Sequence, residues 1–392
     1  MIEHLHHWHA GRDPVRLALK YKAMSASLAD FVRGTCSLFY LRASRTTLPS
    51  SPALPICGDV HVGNFGIYRG DDGRLRFDLN DFDESATAPI LHDLIRLLAA
   101  FLTTTPDAES GVEMAAFAHK AYVTTLSSQA HAALDAEHRE SPLPDLFRLA
   151  SRREQKRTDW LDERTVLGPQ GERRFTLDRV KTLAATEDER HALFRAAGDL
   201  GRSFGAESIF EPIDAARRIS GLGSLGLPRF LLMVRGDAAG ARLLDIKAAR
   251  RSALSEGLGL PEGKAAEGDD ADRIVAAQTL ILERPSSPVA AIGLFDDRFT
   301  VRELQAAGVR LEPSLTYSTR LGRVLGESLA RAHRRTSRRA GSTGELDAFA
   351  EEAPQWSARA AAAALELSHK CREDWRAFRE AYRAGAFAPR DA

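Results

Sequence analysis

Apolar positions along this chain follow two periods. Residues 14–46, 90–105 and 108–136 read as helices, residues 1–50 as helical throughout, and further helical segments run to about 200. Shorter apolar runs between turn formers predict strands: Ala53 to Cys57, Leu75 to Phe77, FLLMV after Pro228, LLDIK ending at Lys247, then AAIGLF and FTVREL. Residues 256–272, rich in Gly, Ala and acid, predict a mobile loop before a helix at Arg273. A helical face returns at Leu321, Val324, Leu325 and Leu329, AGSTGE at 340–345 marks a turn, and an Ala-rich helix pair follows from about Leu346 to Tyr382.

The polar residues that interrupt the first hairpin carry the chemistry. CGDVHVGNFG (57–66) and LRFDLNDFDE (75–84) place Asp59, His61, Asn64, Asp81 and Asp83 where strands end. Phosphoryl transfer needs a carboxylate to orient the acceptor and oxygen ligands to hold Mg²⁺ on the phosphates. Asp59 suits the first role; Asn64 and Asp81 suit the second, with Asp78 and Asp83 as rivals of Asp81. Singly, Asp, Asn and Gly are ordinary turn residues; jointly, at this spacing, they are much harder to obtain by turn chemistry.

GDVHVGN followed by a strand and DFD is similar to the catalytic and metal loops of aminoglycoside-phosphotransferase-like kinases. The resemblance implies that Asp59 is the catalytic carboxylate, that His61 shapes the same loop, that Asn64 and Asp81 bind metal, and that Asp93 in HDLIRLLAAF supports the catalytic loop. A kinase-like chain places its glycine loop and strand lysine upstream of the catalytic loop, and here they come later. Gly221, Gly223, Ser224 and Gly226 form G-x-G-S-x-G, ahead of FLLMV, the turn GDAAG and a second strand ending at Lys247. Glycines there let backbone N–H groups approach phosphates, and Lys247 would meet the α- and β-phosphates. The alternatives are a dinucleotide-binding loop, which should open directly into a helix, and a plain glycine hairpin with a solvated lysine.

The helix at 321–333, LGRVLGESLARAH, is similar to one that precedes the catalytic loop in those kinases. The implied architecture is α+β, a protein-kinase-like two-lobe fold that is circularly permuted. Residues 1–204 would form the catalytic part, 205–312 the nucleotide-binding part, and 313–392 the helices returning to the catalytic part. From about Leu19 to about Tyr382 the chain resembles the bacterial family called domain of unknown function 2252, through RG at Arg33, GDxHxxNFG, FDLNDFDE, the glycine loop with its strand lysine, and LARAH. The family's lysine is usually followed by Glu; here Ala248 and Ala249 follow Lys247, and Gln278 is the nearest polar substitute in the next helix.

Composition changes this picture little. The chain has 392 residues, 44% apolar and 28% charged, enough for two sizeable cores, and 54 Lys+Arg balance 54 Asp+Glu, which gives no ground for a nucleic acid or a membrane as main partner. The basic run at 148–157 reads as a solvated helix face, while that at 331–339 remains a candidate phosphate contact. Cys36, Cys57 and Cys371 suggest neither a disulfide framework nor a zinc site, and His4, His6, His7 and His9 read as surface histidines. With no signal-like N-terminus, the expected location is the cytoplasm. The expected ligands are ATP, Mg²⁺ and an acceptor of unknown identity. The leading expectation is phosphoryl transfer; the others are AMP transfer by the same site, a catalytically silent nucleotide- or protein-binding module, and a Rossmann-type oxidoreductase, which would require strand-loop-helix at Gly221 and leave CGDVHVGNFG unexplained.

Overall fold

The computed structural model describes residues 1–168, 171–178, 180–238, 240–260, 268–311 and 318–388, and among them the fold is mixed α+β. The chain opens with α1 (Ile2–Trp8), α2 (Pro14–Ala26), α3 (Leu28–Gly34) and α4 (Cys36–Ala43). A single helix over 14–46 was expected. Ser27 interrupts it with extended backbone and caps α3 by accepting from Asp30 N, and Thr35, again non-helical, separates α3 from α4.

Next come β1 (Ala53–Ile56), β2 (Phe65–Arg69), β3 (Leu75–Leu79) and β4 (Ala86–Pro89). The hairpin is formed by β2 and β3, whereas β1 pairs with β4, so the segment between β1 and β2 is clamped at both ends. Helices α5 (Leu91–Thr104) and α6 (Ala108–Leu126) follow. The expected helix to 136 stops at Leu126, where Ser127 and Ser128 turn their hydroxyls onto backbone carbonyls, and Leu134 O then accepts from Phe77 N beside β3. Beyond α7 (Leu143–Gln155) and α8 (Arg157–Asp162) the expected helical run is broken by β5 (Thr165–Leu167), β6 (Arg173–Phe175) and β7 (Thr182–Ala184), before α9 (Glu187–Phe204).

The second sheet is built from β8 (Pro212–Arg218), β9 (Arg229–Asp237) and β10 (Gly240–Ala248), then α10 (Ala253–Leu258) and α11 (Asp270–Ile281), then β11 (Val289–Leu294) and β12 (Asp297–Glu303). Its strand order is β11-β12-β10-β9-β8-β7, antiparallel throughout. It therefore takes in β7 and carries α9, both upstream of residue 205. Phe230, Leu232, Val234, Leu244, Ile246, Phe299 and Val301 face α9, and alternation turns Asp245 and Lys247 to the opposite side. Helix α11 starts at Asp270 rather than Arg273 because Asp269 caps it; part of the expected 256–272 loop, residues 261–267, lies outside the described residues.

The strand β13 (Val309–Arg310) pairs with β2, and α12 (Thr319–Ala340), α13 (Thr343–Glu351) and α14 (Ala353–Arg383) complete the chain. The main core joins α5, α6, α12 and α14 to the small sheets. Gly322 and Gly326 let α12 approach α6 closely: a Cβ at either position would overlap the carbonyl oxygen of Met114 or Ala118. The buried helix thereby fixes His333 against the start of α5.

Candidate functional site

The loop after β1 is held from behind by one carboxylate. Cys57 N and Gly58 N donate to the two oxygens of Asp93, at 2.9 and 2.8 Å. Gly58 has φ +87, and a Cβ there would overlap Glu84 O, so glycine is required. Asp93 also meets His333 Nε2 at 3.4 Å, and His333 Nδ1 lies 2.8 Å from Tyr122 OH. A polar chain thus runs from α12 through Asp93 of α5 to the loop.

One residue further, Asp59 Oδ1 accepts from Arg96 Nε and Nη2 at 3.1 and 2.9 Å. Arg96 is fully buried, stacks over Phe39 and donates from Nη2 to Val32 O at 2.7 Å. This leaves Asp59 Oδ2 toward the cleft, with His61 Nε2 3.7 Å away. His61 Nδ1 accepts from Gly63 N, and burial lowers its pKa to about 4 against the pull of Asp59, so the imidazole is neutral at pH 7 and shapes the turn. Asn64 donates from Nδ2 to Asp59 O at 2.6 Å, which leaves its carbonyl oxygen as the available ligand.

Beyond β3 the carboxylates separate by environment. Asp78 faces the core and pairs with Arg335, so it is no rival for a metal. Asp81 and Asp83 line the cleft and share Lys247, which bonds Asp83 and lies 3.7 Å from Asp81. Burial opposes ionisation of Asp81, but Lys247, Arg310, Arg302 and Arg229 outweigh it and hold its pKa below the usual carboxylate range. Burial and the charge of Asp81 push Asp83 up, against Lys247. The acidic partner of Lys247 is therefore in the DFD segment; Gln278 lines a separate hollow behind it.

The glycine loop between β8 and β9 forms the facing wall. Gly221 and Gly226 adopt φ +83 and +88, and Gly221, Gly223 and Ser224 line the cleft, while Gly226 packs against Arg12. Arg12 donates to Gly223 O and Leu225 O at 2.7 and 2.9 Å, buried Lys20 donates to Gly223 O at 3.0 Å, and Asp13 N donates to Gly226 O at 3.0 Å. The loop's carbonyls are thus turned toward α2. Its N–H groups at Leu222, Gly223 and Ser224 have no acceptor among the described residues. Ser224 Oγ is spent on Ser220 O. On the same face, Asp245 holds Arg229, Arg218 and Arg302.

Asp59, His61, Asn64, Asp81, Asp83, Arg33, Gly221, Gly223, Ser224 and Lys247 all line one cleft. Among the described residues no group of three His, Cys, Asp or Glu side chains is arranged to hold a metal by itself. An amide oxygen and one or two carboxylates still fit Mg²⁺, which takes its remaining ligands from phosphate and water.

Several site residues escaped the sequence reading. Arg96 had a signal, a lone arginine three positions after Asp93 in an apolar helix, and Glu84, which also lines the cleft, closes the FDLNDFDE motif; Arg12 and Lys20 had none. Two expectations change. His9 is buried and bonds Tyr21 OH rather than lying on the surface. In the 331–339 run, Arg334 pairs with Asp347, Arg335 with Asp78, and Arg339 caps the end of α11 through the carbonyls of Thr279 and Leu280. Those arginines are structural. No helix among the described residues is long and apolar enough to cross a membrane.

No curated protein and no solved structure matches the chain. A family model does, over residues 12–381: the chain belongs to the family described as an uncharacterized protein conserved in bacteria, domain of unknown function 2252.

Proposed function

We propose that this protein is an ATP- and Mg²⁺-dependent phosphotransferase with a circularly permuted kinase-like arrangement, residues 1–204 and 313–392 supplying the catalytic side and 205–312 the nucleotide side. The observation that carries the reading is the meeting of Lys247 with Asp83, 164 positions away in sequence, and with Asp81, in the cleft that also holds Asp59 and Asn64. Two supporting features are the unspent N–H groups of the glycine loop and the Arg12 guanidinium behind it.

In this reading Asn64 and Asp81 hold Mg²⁺, which would neutralise developing charge on the transferring phosphoryl group. The glycine loop's N–H groups and Lys247 bind the triphosphate. Asp59, fixed on one oxygen by Arg96, presents the other to an acceptor hydroxyl and aligns it with the γ-phosphate; little further covalent work is required.

The test is transfer of labelled phosphate from γ-labelled Mg-ATP to a mixture of hydroxyl compounds and proteins. The expected result is a labelled product that Asp59→Asn abolishes. Label from the α-position in place of the γ-position would assign AMP transfer, and binding without any product would leave a silent nucleotide-binding module.

A further inference from the structure

Arg33 is the penultimate residue of helix α3, whose position is tied to the loop that carries Asp59. Arg96 Nη2 bridges Val32 O at 2.7 Å and Asp59 Oδ1 at 2.9 Å, and Tyr40 OH donates to Gly58 O. The backbone next to Arg33 is thereby locked to the Asp59 loop, and the Arg33 side chain lines the cleft on that side. Arg33 also stands close enough to His61 to disfavour its protonation, after burial and against Asp59.

Arg12 is spent on the glycine loop's carbonyls, and of the cleft's two arginines that hold no side chain or carbonyl within hydrogen-bond distance among the described residues, exposed Arg310 and half-buried Arg33, only Arg33 is tied to the Asp59 loop. Lys247, Arg229, Arg250 and Arg251 each hold a carboxylate: Asp83, Asp245, Asp297 at 2.9 Å and Glu256 at 2.6 Å. Arg33 reaches only Asp30 on its own helix, at 3.9 Å, and its Nε is buried with no hydrogen-bond partner among the described residues. A half-buried guanidinium at the cleft wall with an unfilled fork matches a phosphate or carboxylate, which it would engage through two parallel bonds.

We infer that Arg33 forms an anion subsite at the acceptor end of the cleft, so that the acceptor is a hydroxyl compound carrying a phosphate or carboxylate group. The inference rests on the phosphotransferase reading, which places the acceptor hydroxyl at Asp59.

Calorimetric titration of inorganic phosphate, with acetate as a parallel arm, into the protein saturated with Mg²⁺ and a non-hydrolysable ATP analogue tests it. The native protein should bind at least one of the two anions, and the stronger arm assigns the group. Arg33→Gln should weaken that binding at least tenfold, and Arg33→Lys, which keeps the charge but not the fork, by less. Affinity for the analogue should stay within twofold in both variants. Analogue binding without anion binding, or anion binding unchanged in Arg33→Gln, would overturn the subsite. If the analogue itself does not bind, the phosphotransferase reading fails, and phosphate titrated alone against Arg33→Gln still decides the subsite.

Discussion

Arg96 donates to Asp59 Oδ1 from two nitrogens, at 3.1 and 2.9 Å, and it does so from a position with no solvent exposure. A carboxylate held on one oxygen in this way keeps its other oxygen aimed in a single direction. Orientation is what phosphoryl transfer asks of that group.

Arg96→Met should therefore cost both stability and activity. Breaking a buried pair costs about 3–5 kcal/mol, and because the Asp59 side chain keeps 15% exposure, about 2–4 is expected here. Chemical denaturation reads the first effect. Under the proposed function, phosphate transfer should fall on the order of 100-fold as Asp59 loses its alignment. A variant as stable as the native protein would show that the pair is not a buried anchor.

Glu84 gives a pH dependence with a definite sign. Burial, partly offset by the bond from Ala253 N, raises its pKa from 4.5 to about 7. The folded state binds the proton more tightly than the unfolded state, so this group's contribution is fully present below pH 4.5 and lost as pH rises toward 7. The loss is on the order of 3 kcal/mol. His61 and His92, both lowered to about 4 by burial, act in the opposite sense as pH falls below 6.5, so the native curve alone would hide the effect. Glu84→Gln isolates it: denaturation midpoints at pH 5, 6, 7 and 8 should show the variant gaining on the native protein. A pH-independent difference would place Glu84 in water.

The Tyr122–His333–Asp93 chain carries support from α12 to Cys57 and Gly58. Asp93→Ala orphans two backbone N–H groups, at about 1–3 kcal/mol each, whereas Asp93→Asn keeps one acceptor oxygen and should lose less. His333→Ala should cost about 1–3 kcal/mol and lower phosphate transfer without abolishing it. Equal stability of Asp93→Ala and Asp93→Asn would mean that the two N–H bonds contribute nothing.

The sequence reading reached the parts of the site that are local. Asp59, His61, Asn64 and Asp81 fall within 23 residues, so turn chemistry and spacing were enough to single them out. Asp78 and Asp81 were indistinguishable by spacing; only the partner of each, Arg335 in the core and Lys247 in the cleft, tells them apart. Arg12 and Lys20 act on the glycine loop from more than 200 positions away, where neither periodicity nor propensity carries information. The helix over 14–46 was overextended because Ser27 and Thr35 interrupt an apolar pattern that continues on both sides.

The most direct test is calorimetric titration of ATP with and without Mg²⁺, into the native protein and into Asp81→Ala. Mg²⁺-dependent binding of ATP to the native protein, lost in Asp81→Ala, is the expected result. No binding at millimolar ATP, or binding indifferent to both Mg²⁺ and Asp81, would contradict the phosphotransferase reading.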